Sequence, residues 1–229
     1  MPDSKEAIEK LEDLGAIVVE GESGLLVSLD ETNVDEVIPL LRLKNVVDLE
    51  FLHSCGISNH HLKEFRNNSS VKKLAFHANF GLSEDAFSVL PTFGALEELI
   101  LKVDMDLDPE PVFKNVGACK NLIKLLLIFP KSDDAARHLR FLTKLRDLKM
   151  KSQLQDLSFV RQMESLTHLN VGDNPIGDED LLSIRCFKSL QDLSLFNTDI
   201  SDKCGPTLSK FLGSSGILMG EFRLLCFFC

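Results

Sequence analysis

The chain of 229 residues is 44% apolar and 26% charged, with a formal charge of −10 at pH 7. That balance is ordinary for a globular chain, and it speaks against a basic face able to neutralise a nucleic-acid backbone. Sixteen Phe stand beside no Trp and no Tyr, so the amphipathic aromatics most useful for sugar or base recognition are missing.

The opening stretch MPDSKEAIEKLEDLG is charged and holds no apolar h-region, so it does not read as a Sec signal peptide. No later stretch approaches the roughly 20 apolar residues that a membrane helix needs. Six scattered Cys, at 55, 119, 186, 204, 226 and 229, lack framework spacing. They read as reduced, mostly buried thiols, and a cytoplasmic location is expected. Ser4–Leu14 predicts a short helix, with Asp3 or Ser4 as N-cap, Ile8, Leu11 and Leu14 on one face, and Gly15 as its stop. AIVVEGESGLLVSL then predicts two strands about a Gly-Glu-Ser-Gly turn. Residues 1–23 are expected to cap the N-terminal end of the molecule.

From residue 24 a frame of apolar residues recurs. Leu166–Ile176, LTHLNVGDNPI, and Leu190–Ile200, LQDLSLFNTDI, share L-x-x-L-x-L-x-x-N-x-L, with Thr198 in the Asn place of the second. Upstream copies carry Val46, Leu49, Phe51, Ser54 and Ile57; Val71, Leu74, Phe76, Asn79 and Leu82; and Leu96, Leu99, Leu101, Asp104 and Leu107. Less regular copies lie at Leu122–Leu125–Leu127 and Leu145–Leu148–Met150, and a first at Gly24, Val27, Leu29, Thr32 and Val34. Eight copies begin near 24, 46, 71, 96, 122, 145, 166 and 190, spaced by 21 to 26 residues. The chain resembles the leucine-rich repeat family over residues 24–212, with typical and cysteine-type repeats mixed. Its opening and first repeat are similar to bacterial, planctomycete-type members.

The resemblance implies an α/β solenoid, a horseshoe with a parallel concave sheet and helical or irregular convex returns. It also implies protein binding, and it carries no catalytic residues or cofactor with it. The physics of the repeat agrees. Each L-x-L sends two side chains inward, and apolar returns such as VIPLL (37–41), AFSVL (86–90), AARHL (135–139) and DLLSI (180–184) come after it at helical spacing. Thr32, Ser54, Asn79, Asp104, Gln153, Asn174 and Thr198 hold the ninth place, where a polar side chain can satisfy turn backbone. The strongly apolar tail GILMGEFRLLCFFC (216–229) does not fit a ninth repeat. It is expected to fold over the last one, or else to be a remnant of a longer chain; residues 213–229 are set apart for that reason.

One copy departs from alternation. In KLLLIFPKS (124–132), Leu125 and Leu127 take the inward places, which leaves Leu126 and Ile128 facing out. Ile100 is expected beside Leu126, with Val103 and Phe129 at the strand exits and Lys73, Lys102, Lys124, Lys149 and Lys151 around them. An exposed apolar patch marks an interaction site, and a lysine rim selects a partner with acidic groups. The alternative stays open that Pro130, which has no ladder side chain, makes this repeat irregular and buries part of the run.

Other chemistry is sparse. DMDLDPEP (104–111) alternates Asp in the manner of a calcium loop, but Pro109 and Asn115 occupy the places of its Gly and Glu. His53, His77, Cys55, His60 and His61 could approach one another around zinc, although solvated histidines account for them as well. Cys226 and Cys229 supply half a site at most. No catalytic residues and no metal are assigned. The leading expectation is a non-enzymatic module that binds another protein, with no nucleic acid and no membrane span. A substrate-recognition fragment of an F-box-type ubiquitin ligase subunit is the alternative, though residues 1–23 are too short to hold an F-box. An enzyme with an unrecognised site near residues 53–77 is the third.

Overall fold

The computed structural model describes residues 4–42, 45–53, 55–77, 81–102, 107–185, 187–206 and 223–225. Helix α1 (Ser4–Asp13) leads into an antiparallel hairpin, β1 (Ala16–Gly21) and β2 (Gly24–Leu29). Gly15 comes after α1 with φ +90°, a conformation in which a side chain would be strained. Then come α2 (Val34–Arg42), β3 (Val46–Phe51), α3 (Asn59–Glu64), β4 (Lys73–His77), a 3-10 return at 84–92 and β5 (Glu98–Lys102). Helix α4 (Pro109–Gly117) is next, then β6 (Lys124–Ile128), a 3-10 return at 133–141, β7 (Asp147–Lys151), β8 (His168–Asn170) and β9 (Asp192–Ser194). Among the described residues the last strand is β10 (Arg223–Leu225).

These strands form a 10-stranded sheet in chain order, β1 to β10. Every pair after the first is parallel, since each return crosses back over the same face. Leu49, Leu74, Leu99, Leu125, Leu148, Leu169 and Leu193 stand opposite one another across successive strands. All are at most 2% exposed. Each such side chain contributes about 1.5–3 kcal/mol by leaving water. Because every repeat covers its neighbour, the core is one continuous slab.

The returns form from local chemistry. Pro109 opens α4, where its missing N–H is no loss, and Asp108 caps it by accepting from Glu110 N at 3.0 Å. In α3 the cap is reciprocal in an unusual way. The His61 ring reaches back, its Nδ1 accepting from Ser58 N at 3.1 Å, while Nε2 donates to Asp35 Oδ1 at 2.8 Å. Phe rings fill the wider repeats, with Phe51 stacked on Phe76 at 5.2 Å and Phe76 set edge-on to Phe87 at 6.1 Å.

The inner turns correct the sequence frame in two repeats. Glu31, Asp173 and Asn197 have φ of +47°, +60° and +53°, each just before the ninth-place residue. In the sixth repeat the positive φ falls on Gln153 itself, at +53°, and Gln153 is exposed. The turn there is one residue longer, so Leu154 goes inward; Ser152 N and Leu154 N donate to Asn174 Oδ1, both at 3.0 Å, while the buried Ser152 hydroxyl meets Ser132 Oγ at 3.0 Å. In the fifth repeat Pro130 offers no hydrogen-bonding side chain, and the alternation of β6 runs on through Phe129, whose N donates to Lys151 O at 2.9 Å. Phe129 is therefore buried, 3% exposed and edge-on to Phe113 at 5.2 Å, rather than standing at the rim of an outer patch.

Part of the tail lies against the last repeat. Arg223–Leu225 pairs parallel with β9, Leu224 opposite Leu193, in the register of a further repeat strand. The remainder of 213–229 lies outside the described residues. So do Ser54, Asn79, Val103, Asp104, Cys186, Cys226 and Cys229.

Candidate functional site

On the sheet face away from the core, three rows of side chains run across the strands. The row just before the first inward residue reads Asp48, Lys73, Glu98, Lys124, Asp147, His168, Asp192, each directly opposite the next. Signs alternate from Asp48 to Asp147. At the roughly 4.8 Å spacing of neighbouring strands, such pairs attract. Lys73 Nζ lies 3.0 Å from Asp48 Oδ2 and 2.6 Å from Glu50 Oε1, and Lys124 Nζ lies 3.9 Å from Glu98. A one-residue slip of any strand would break the alternation and expose its leucines, so this row helps specify register.

The middle row holds Glu50, Ala75, Ile100, Leu126, Lys149 and Asn170. The upper row holds His77, Lys102, Ile128 and Lys151. Leu126 thus has Ile100 on one side and Lys149 on the other, while Ile128 lies between Lys102 and Lys151. Ile100, Leu126 and Ile128 are half-buried, and Lys124, Lys149 and Lys151 are exposed. A shallow depression of about 180 Å³ opens among Glu98, Ile100, Lys124, Leu126, Asp147 and Lys149. The structure therefore brings together seven of the eight residues singled out in the sequence. The eighth, Phe129, belongs to the core.

The lysines differ in their freedom. Lys151 donates to Asp173 Oδ2 at 3.0 Å. Hydrogen bonds from Asn197 and Lys151 hold the Asp173 carboxyl below its usual range. Burial alone would raise the Glu50 pKa and lower that of Lys73, yet the contact between them outweighs this and moves each the opposite way. Burial and the nearby Lys102 lower His77. The Asp48–Glu50–Lys73 group escaped the sequence reading, although the alternating column that announces it was present in the residues themselves.

The remaining candidates take structural places. Cys55 is 1% exposed and burial pushes its thiol up to about 11; Cys119 is pushed up to about 12 for the same reason. Neither is a ready thiolate ligand or nucleophile. His53 and His60 are exposed. Ser58, His61 and Asp35 line up as hydroxyl, imidazole and carboxylate, with Ser58 Oγ 3.1 Å from Nδ1. That nitrogen already accepts the Ser58 backbone N–H, so the arrangement serves as a helix cap. In the aspartate-rich turn, Asp108 caps α4, and Glu110 Oε1 lies 2.7 Å from both Arg137 and His138. Among the described residues no group of three His, Cys, Asp or Glu is placed to hold a metal ion.

A parallel sheet in chain order, with one return per strand and a leucine frame repeated in register, defines a leucine-rich repeat solenoid. Two bacterial structures from Listeria monocytogenes share this fold. Internalin C2 is 19% identical with a TM-score of 0.57, over 84% of this chain and 75% of its own. The internalin inlF is 16% identical with a TM-score of 0.53, over 83% of this chain. The present chain spans 56% of that protein's length. No protein-family model matches the chain, and no curated protein is similar to it in sequence. No helix among the described residues is long and apolar enough to cross a membrane.

Proposed function

We propose that this protein is a non-enzymatic binding module that receives another protein on the outer, concave face of strands β5 to β7. The observation that supports this most directly is the joint placement of Ile100, Leu126 and Ile128, half-buried and contiguous, beside Lys102, Lys124, Lys149 and Lys151. An apolar contact surrounded by fixed charges favours one partner orientation. Because Glu98 and Asp147 balance the lower row, the partner's acidic groups are placed toward Lys102 and Lys149, for which no ion pair is found among the described residues. Buried Cys55 and Cys119, neither of them in a disulfide, fit a reducing compartment such as the cytoplasm.

The test is an affinity capture from native cell extract with wild type, Ile128→Asp, and Leu182→Asp as a control on the return side, where Leu182 is 48% exposed. A protein retained by wild type and the control but lost with Ile128→Asp supports the reading. Equal retention by all three overturns it.

A further inference from the structure

A second surface lies at the other end of the sheet. Among the described residues strand β1 is an edge strand, paired with β2 alone. Its hairpin closes over two residues, Gly21 facing Gly24, and such a closing pair exchanges its hydrogen bonds directly. The partners Val19–Leu26 and Ile17–Ser28 therefore do the same. On β2 the alternation agrees, since Leu25 N bonds Asn45 O and Leu29 O accepts from Leu52 N on the far side. It follows that Val18 and Glu20 point their N–H and C=O groups outward along an open edge, whereas Ala16, in the same alternation, is buried, 5% exposed. Edges of this kind are commonly blunted by proline, a bulge or an inward lysine, and AIVVEG carries none of these.

Beside that edge sit the most exposed large apolar residues of the sheet's N-terminal end. Ile17 is 59% exposed, Val19 54% and Leu26 37%, and Val19 and Leu26 are direct cross-strand partners on one face. Charge then selects the occupant. Residues 4–31 carry two lysines against eight carboxylates, a net of −6, and Glu12, Asp13, Glu20 and Glu22 are exposed close to the strand. A second copy would bring two such acidic ends together, which opposes self-pairing.

We infer that the free edge of β1 accepts an extended, basic segment of a partner protein as an added strand. Its apolar residues at alternate positions cover Ile17, Val19 and Leu26, and its lysines or arginines face the carboxylates. The backbone of Val18 and Glu20 supplies affinity, and the exposed apolar pair supplies register. This surface is separate from the strands β5 to β7, so its failure leaves that reading untouched.

The probe is a fluorescent eight-residue peptide alternating Val and Lys, titrated against the full chain by anisotropy. Val18→Pro removes one outward N–H and no bond of the hairpin, and it is expected to weaken binding at least tenfold, with thermal unfolding showing that the fold is kept. N-methylation of the peptide on alternate residues should cause a similar loss, whereas Leu126→Ser should cause none. Hydrogen exchange should show new protection at Val18 and Glu20 but not at Ile17 and Val19, which are already bonded. Several outcomes overturn the inference: no binding at low salt, binding indifferent to Val18→Pro and to N-methylation, or equal binding of a Val-Glu peptide. So does a wild-type dimer in sedimentation that Val18→Pro dissolves, because the occupant is then a second copy.

Discussion

Replacing Asn174 with Ala removes the most densely bonded side chain of the inner turns among the described residues. Its Nδ2 donates to Met150 O at 2.8 Å, Val171 O at 2.9 Å and Gly172 O at 3.1 Å. Its Oδ1 accepts from Ser152 N and Leu154 N, both at 3.0 Å. The side chain is buried, 1% exposed, so water does not replace it freely. Two N–H groups lose their acceptor, at about 1–3 kcal/mol each, and the carbonyls lose a donor. An overall loss of about 3–5 kcal/mol is expected. Urea unfolding followed by circular dichroism reads it as a lower midpoint at constant slope. Asn174→Asp keeps the acceptor but sets a carboxylate against three carbonyls. Such a group has a raised folded pKa, so its penalty should ease as pH falls into the carboxyl range and grow as pH rises. Thr198→Ala is the control; among the described residues the Thr198 hydroxyl bonds Leu195 O of its own turn alone, at 2.9 Å, and about 1 kcal/mol or less is expected. A loss at Asn174 below about 1 kcal/mol would show that the turns do not depend on it.

Four serine variants separate the faces of β6. Leu125→Ser and Leu127→Ser should each lose about 3–4 kcal/mol, and Leu126→Ser and Ile128→Ser about 1 kcal/mol, in urea; equal, large losses at all four would mean that the outer face is covered by the protein itself. Gly117 packs against the His138 carbonyl so closely that a Cβ would overlap it. Gly117→Ala should therefore lower Tm by an amount equivalent to about 2 kcal/mol, and an unchanged Tm would refute the close approach. Deleting residues 1–23 removes the proposed cap, including Leu11, which is 0% exposed. Light scattering should show aggregation, and a soluble, cooperative truncation would sink the assignment. The Glu50–Lys73 contact lowers the Glu50 pKa from 4.5 and raises that of Lys73 from 10.5. Its stabilisation is complete above pH 4.5 and is lost as pH falls through the lowered Glu50 value; on the alkaline side it is lost as pH rises through the raised Lys73 value. Glu50→Gln should flatten the acid limb of the stability profile, and an unaltered limb would refute the coupling.

The repeat made the fold legible because inward positions recur at fixed spacing and each leucine has one place to go. From Leu49 to Leu193 the frame read from the residues is the frame found in the sheet, and the outer columns follow by alternation alone. That is why Ile100, Leu126, Ile128 and the four lysines fall into one group by spacing alone. What failed lay in the turns, where an added turn residue, or an alternation that runs on past the strand, breaks the period and local pattern carries no information about which side chain goes inward. Phe129 is buried because Phe113 on α4 offers a ring to meet it, a contact between residues of different elements that no spacing rule contains. Gln153 gave up its ladder place to a longer turn, and Asn174 from the next repeat supplies the missing bonds. Periodicity in the residues alone was enough to set the strands, their order and their two faces, because burial rewards one register only. Which charges neutralise one another and which edge stays open were settled on folding, because both depend on neighbours some 22 to 25 residues away in the chain.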